Sequence, residues 1–123
     1  MDKIRVKNIK IFAYHGVIKE EQNLGQNFEI DVVLGIRKNQ AGITDDLSKT
    51  VDYSKVYNLV VDIFTKKTYK LIETLAEKIS QKLLSLDNVE NVKIKIRKPS
   101  VPINGQLDFV EIEINRWIFD WFH

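Results

Sequence analysis

The sequence predicts an α+β fold: a four-stranded antiparallel sheet with two helices on one face, in the order ββααββ. Three observations carry this. Single-residue apolar alternation marks two early runs, gives way to helical spacing mid-chain, and returns in two late runs. Strands grouped at both ends around two amphipathic helices fit one sheet covered on one side.

The first run alternates Ile4, Val6 and then Ile9, Ile11; the phase slips at Asn8, where a bulge is expected. The second is stricter. From Phe28 to Ile36 every second residue is apolar, the mark of a half-buried strand. Between them lies Tyr14-His15-Gly16-Val17-Ile18-Lys19-Glu20-Glu21-Gln22-Asn23-Leu24-Gly25-Gln26. That connection is longer than a tight hairpin needs, and long connections are enriched in functional residues.

A polar stretch, Asp45 to Thr50, precedes the change of period. Val56, Val60, Ile63 and Phe64 follow helical spacing, with Asp52 or Ser54 as the cap. Ile72, Leu75, Ala76, Ile79, Leu83 and Leu86 form the stripe of a second helix. Val92, Ile94, Ile96 and Val110, Ile112, Ile114 then alternate as strands. Lys93, Lys95 and Arg97 on one, and Glu111 and Glu113 on the other, suit cross-strand pairing on the outer face, each pair worth about 0.2–1 kcal/mol. The sheet edges are left open to other subunits.

The 123 residues fit a single domain, 1–123, large enough for a real core. A chain that is 44% hydrophobic and 29% charged is not a disordered one. A net charge of +2 with interleaved signs disfavours nucleic acid as a partner. No apolar run approaches the ~18 residues of a membrane span, and the N-terminal residues lack the apolar block of a signal peptide. With no cysteine there is no disulfide framework or thiolate metal site, and a reducing, cytoplasmic setting is expected.

Six side chains stand out. Glu20 and Glu21 are ordinary solvated charges by type, yet they occupy the long connection beside His15-Gly16. His15 fits acid–base chemistry or, more simply, hydrogen bonding at a strand end. Only one other histidine, His123, is present, and no metal-ligand spacing is recognisable. Glu73 sits at the start of the second helix, where a carboxylate either complements the helix dipole or accepts two parallel N–H bonds from a heterocycle edge. Lys98 ends a strand before the stiff Pro99-Ser100-Val101-Pro102-Ile103-Asn104-Gly105 loop, so it is a surface lysine or a fixed proton-transfer group. Tyr53 is packing or a phenolic proton donor. The aromatic end, Arg116 to His123, covers the core or meets another subunit.

In order along the chain, several of these stretches resemble the dihydroneopterin aldolases. They are Tyr14-His15-Gly16; Glu21 with Leu24-Gly25-Gln26; Phe28 to Asp31; Asp45-Asp46-Leu47 with Thr50-Val51-Asp52-Tyr53; Leu71 to Glu77; and Lys98-Pro99 with Pro102-Ile103 and Gly105. The resemblance covers residues 4 to 116. It implies the tunnelling fold, whose sheets join edge to edge into a ring of four, two rings stacking to an octamer with active sites between subunits. It implies a pterin substrate, with Glu73 anchoring the 2-amino group and N3–H, and the backbones of Ile72 and Val51 at the ring edge. Glu21, Tyr53 and Lys98 would then be the catalytic cluster. Neither metal nor cofactor is implied, because 7,8-dihydroneopterin carries its own N5=C6 imine as electron sink for retro-aldol cleavage.

Two alternatives accompany this expectation. One is the related epimerase acting on dihydroneopterin triphosphate, which usually lacks the Tyr-His-Gly turn and the Lys-Pro…Pro loop. The other is a non-catalytic ring-forming scaffold. Pyruvoyl-tetrahydropterin synthase and GTP cyclohydrolase need metal-binding His or Cys sets, and the queuosine nitrile reductase needs a cysteine, which this chain lacks.

Overall fold

The computed structural model describes residues 1–37 and 41–121. Its elements run β1 (Asp2–Ala13), α1 (Lys19–Leu24), β2 (Gln26–Ile36), α2 (Ala41–Thr44), a 3₁₀ turn (Leu47–Lys49), α3 (Tyr53–Lys66), α4 (Ile72–Leu84), β3 (Val89–Lys98), β4 (Val110–Trp117) and α5 (Ile118–Trp121). The four strands form one antiparallel sheet in the spatial order β1-β2-β3-β4, so β1 and β4 are its edges. This is the expected ββααββ frame. The short helices α1, α2 and α5 were not apparent from periodicity, because each is too short to show a full apolar stripe.

Alternation places the core. Phe28, Ile30, Val32, Leu34 and Ile36 of β2 are fully buried, as are Val92, Ile94 and Ile96 of β3. Against them lie Val56, Val60 and Phe64 of α3 and Leu75, Ala76, Ile79 and Leu83 of α4. Burying each such side chain contributes about 1.5–3 kcal/mol. Asp52 resolves the choice of cap: its carboxylate accepts from the Ser54 backbone N–H at 3.0 Å and from the Ser54 hydroxyl at 2.7 Å. No side chain caps α4. Its first N–H groups lack intrahelical acceptors, as at any helix start.

The bulge falls between Val6 and Ile9, with Asn8 at φ +59°. On the outer face it opens onto a dense ionic cluster. Arg97 of β3 donates to both oxygens of Asp31 (2.8 and 3.1 Å), to Glu29 (3.2 Å), to Glu111 (3.2 Å) and to the Asn8 side-chain oxygen (3.3 Å). Asp31 also accepts from the Asn8 N–H at 2.7 Å and pairs with Lys7 at 3.3 Å. One guanidinium on β3 therefore touches residues of the other three strands. Lys95–Glu113, at 3.5 Å, is a second of the expected cross-strand pairs. On the helix side, Arg116 of β4 pairs with Glu77 of α4.

At the C-terminal end, Ile118 packs on the core, while the Trp117 and Phe119 rings stack 6.0 Å apart and stay partly exposed. Phe122 and His123 lie outside the described residues. No helix among the described residues is long and apolar enough to cross a membrane.

The Arg97 hydrogen bonds hold the Asp31 carboxyl well below the usual carboxylate range, helped by the Asn8 N–H and Lys7 and opposed by burial. A depressed carboxylate stabilises the fold above its ordinary value of 3.8 and loses that contribution as pH falls towards the native value. Asp31→Asn should therefore lower stability by about 2–3 kcal/mol near neutral pH. The deficit should shrink in acid, as the wild type loses the same interaction. Urea melts of both proteins across the acid range check this; a deficit independent of pH would contradict it.

Candidate active site

Lys98 is the last residue of β3, and its position follows from the pleat. Val92, Ile94 and Ile96 face the helices, so the next residue in phase, Lys98, does too, while Arg97 points to the other face. The helix layer ends there, and the lysine ammonium donates to Glu21 Oε2 of α1. This pair is well shielded: side-chain exposure is 14% for Lys98 and 9% for Glu21.

The connection that delivers Glu21 is more ordered than its polar sequence suggests. The Glu21 side chain lies against Gly16, where a Cβ would come within 2.5 Å of the Glu21 Cβ, Cδ and Oε1; Gly16 also sits at φ +158°. A glycine is needed there so that the carboxylate can pass. Gly25 closes α1 at φ +70°, with its N–H donating to the Glu21 carbonyl at 3.1 Å. A Cβ at Gly25 would meet the rings of Phe12 and Tyr14 at 2.7–2.9 Å. Gln26 then accepts from the Ser100 N–H at 3.1 Å, tying the proline-rich loop to the start of β2. A cleft of about 190 Å³ opens beside the pair, lined by Glu21, Leu24, Gly25, Gln26, Ser100 and Pro102 among others. Glu20 is exposed on the rim of that cleft, and its side chain makes no hydrogen bond or ion pair to another described residue.

His15 is buried and takes the structural role. Its Nε2 lies 2.7 Å from the Phe64 carbonyl at the end of α3, and its Nδ1 accepts the Tyr69 N–H at 3.0 Å. Burial holds the imidazole below its ordinary pKa; the Phe64 carbonyl opposes this and the Lys98 charge adds to it. Gly16 donates its N–H to the Tyr69 carbonyl at 3.0 Å. Tyr69 was not singled out from sequence, and Gln26 was named only within the Leu24-Gly25-Gln26 stretch. Tyr69 acts through its backbone, which no residue pattern reveals.

Glu73 occupies the first turn of α4, exposed, and its side chain makes no hydrogen bond or ion pair to another described residue. It follows Tyr69 by four residues, so it lies within roughly 14 Å of that anchor, at the Lys98 end of the molecule. Ile72 is buried beside it. Val51 and Tyr53 lie elsewhere. Asn88, just before β3, donates to the Thr50 carbonyl at 3.2 Å, and nine residues of extended strand, roughly 30 Å, separate that end of β3 from Lys98. Tyr53 starts α3, whereas Phe64 near its C-terminus touches His15; eleven helical residues span about 16 Å. Tyr53 is 71% exposed and Val51 buried. One chain thus brings Glu21 and Lys98 together, with Glu73 at the same end, and leaves Val51 and Tyr53 at the other. Among the described residues no group of three His, Cys, Asp or Glu side chains gathers as a metal site.

A family model described as dihydroneopterin aldolase matches residues 4–115. The dihydroneopterin aldolase of Bacillus subtilis (strain 168) is 40% identical over 117 residues, covering 94% of this chain and 98% of that protein. That of Streptomyces coelicolor is 39% identical over 116 residues, again covering 94% and 98%. Among solved structures, E. coli dihydroneopterin aldolase in complex with neopterin superposes with a TM-score of 0.84 at 25% identity, over 94% of this chain and 99% of that one.

Replacing Gly16 by Ala should expel the Glu21 carboxylate from beside Lys98, with an overpacking cost of about 1–3 kcal/mol. A lowered Tm, with Glu21 displaced in a crystal structure of the variant, is the expected result. An unmoved Glu21 would count against the close-approach argument.

Proposed function

This chain belongs to the dihydroneopterin aldolase family, and on that premise we propose that Glu21, Lys98 and Tyr53 handle the protons of a retro-aldol cleavage while Glu73 holds the pterin. The activity is that of a dihydroneopterin aldolase, an aldehyde-lyase of folate biosynthesis. What supports the division of labour is the shielded Glu21–Lys98 ion pair, set at a sheet end beside a cleft, with the unpaired Glu73 side chain at the same end of the molecule. In our reading the setting is cytoplasmic, as the cysteine-free composition suggested.

The substrate is 7,8-dihydroneopterin, and its N5=C6 imine is the sink. Glu73 accepts the 2-amino and N3–H hydrogens in two parallel bonds, a geometry suited to a carboxylate. The backbones of Ile72 and Val51 meet the ring edge. Lys98 manages proton transfer at N5 and at the 2′-hydroxyl, through water, and Glu21 orients the ammonium and the side-chain hydroxyls. As the 2′-O–H proton leaves, the C1′–C2′ bond breaks and glycolaldehyde departs. The bonding pair forms C6=C1′, and N5 takes a proton. Tyr53 then supplies a proton to C1′ of this enamine, N5 loses its own, and 6-hydroxymethyl-7,8-dihydropterin results. The E. coli relative's complex with neopterin supports a pterin in this site.

The separation of Tyr53 and Val51 from Lys98 within one chain favours sites shared between copies. With β1 and β4 as open edges, a ring of four joined edge to edge, and two rings stacked, fits this.

Incubation with dihydroneopterin, followed by chromatography, should yield hydroxymethyl-dihydropterin and glycolaldehyde. Formation of the 2′-epimer alone would favour the epimerase, and no reaction would favour the scaffold. Lys98→Ala should lower kcat about 100-fold or more with little change in pterin affinity. Glu73→Ala should instead weaken binding by roughly 2–4 kcal/mol, about 30- to 1000-fold in Kd. Equal losses of both quantities in both variants would refute the assignment. Mixing and co-refolding Lys98→Ala with Tyr53→Ala chains should restore about a quarter of wild-type turnover, since in shared sites one in four receives both intact residues. Absence of any recovery would place both residues in one chain's site.

A further inference from the structure

We propose that His15 is a positioning residue for the reaction, setting the spacing between the pterin-holding Glu73 and the Glu21–Lys98 pair; this rests on the roles given to those residues above. The imidazole touches no reacting atom. It is 1% exposed, and its ring lies among those of Phe28, Phe64 and Tyr69, with centroids 5.6, 5.0 and 6.0 Å away. Both nitrogens are committed, with opposite polarity. The Tyr69 N–H donates to Nδ1, so the proton of the neutral ring must be on Nε2, where it is donated to the Phe64 carbonyl.

Those two partners lie on different elements, one in the last turn of α3 and the other in the turn that leads into α4. Gly16 extends the connection. Its N–H donates to the Tyr69 carbonyl, and its own carbonyl accepts from the Gln22 side chain at 2.9 Å, next to Glu21 in α1. The Glu21 side chain in turn rests against Gly16. The end of β1, the helix carrying Glu21 and the turn before Ile72-Glu73 are thus one hydrogen-bonded unit with His15 at its centre. The two carboxylates have no bond to each other, so their separation is inherited from this unit.

The chemistry explains why a histidine stands here. An apolar side chain of the same size would fill the space, but it would leave the buried Phe64 carbonyl and the part-buried Tyr69 N–H without these partners. Both would then move towards water, and both carry the site with them. A glutamine has a donor and an acceptor at comparable reach, so it can replace both bonds.

The test compares wild type, His15→Phe, His15→Gln, Glu21→Gln and the His15→Phe/Glu21→Gln double variant in steady-state turnover of dihydroneopterin. His15→Phe should retain its far-UV spectrum and lose about 10- to 100-fold in kcat, the scale of a small misplacement of reacting groups. His15→Gln should recover most of that loss. In the Glu21→Gln background the same change should cost less than about threefold, because residues acting through one another are not additive. A His15→Phe variant with wild-type kcat and KM, or an undiminished loss in the Glu21→Gln background, would overturn the proposal. Should His15→Phe not fold, ¹⁵N NMR of the wild-type imidazole still decides: a neutral Nε2–H ring throughout the active pH range supports the proposal, and a protonated or Nδ1–H ring refutes it. Failure of the functional reading itself is distinguishable, since Glu21→Gln alone would then turn over like wild type.

Discussion

Arg97 fixes the geometry on which the rest depends. Its guanidinium is shared among Asn8, Glu29, Asp31 and Glu111, so residues of all four strands are gathered at one end of the outer face. Strand side chains alternate, so locking Arg97 outward locks Lys98 inward. A slip of one residue would turn the lysine to the outer face and the arginine into the core. The charge cluster has little influence on the interior by contact, yet it reinforces the phase, set by Val92, Ile94 and Ile96, that turns the proposed catalytic lysine inward. Its members are in part costly to bury, and their mutual satisfaction offsets that cost: Asp31 alone accepts from Arg97, Asn8 and Lys7.

The helix side has its own anchor. Apolar packing of α3 and α4 on β2 and β3 holds the layers together, but apolar contacts are not directional. Direction comes from a few hydrogen bonds at the Lys98 end: His15 to Phe64 and Tyr69, Gly16 to Tyr69, Gln26 to Ser100. They gather three connections that periodicity left undefined. The chemistry proposed for the chain is assembled from the ends of regular elements, where one backbone direction stops and side chains converge without needing to fill a core.

The same frame leaves the proposed site incomplete in one chain. Val51 and Tyr53 belong to the far end of α3 and β3, and the strand length separating them from Lys98 cannot be spanned by a side chain. The exposed phenol of Tyr53 and the open strand edges are consistent with a site finished by another copy. The terminal segment, where Trp117 stacks on Phe119 beside the β4 edge, lies beyond the residues that match the family.

Much of this was legible in the sequence, because it is written in periods of two and of 3.6. The alternation of Phe28 to Ile36 and of Val92 to Ile96, the phase slip at Asn8, a cap at Asp52 or Ser54 and the charge pairing of β3 with β4 all follow from local pattern. The choice of Glu21 over Glu20 as the proposed site residue came from resemblance rather than from residue type, since adjacent carboxylates look alike until a fold separates them. Tertiary structure alone decided that Glu21 is shielded against Lys98, that Gly16 makes room for it, and that His15 is a buried, doubly bonded ring and not a surface acid or base. It also decided that Tyr53 and Lys98 lie at opposite ends. The physical reason is one of range. Periodicity records what each residue does with its near neighbours, whereas the His15 bonds and the Glu21–Lys98 pair join residues 49 to 77 positions apart and exist only once the sheet register and the helix layer are set.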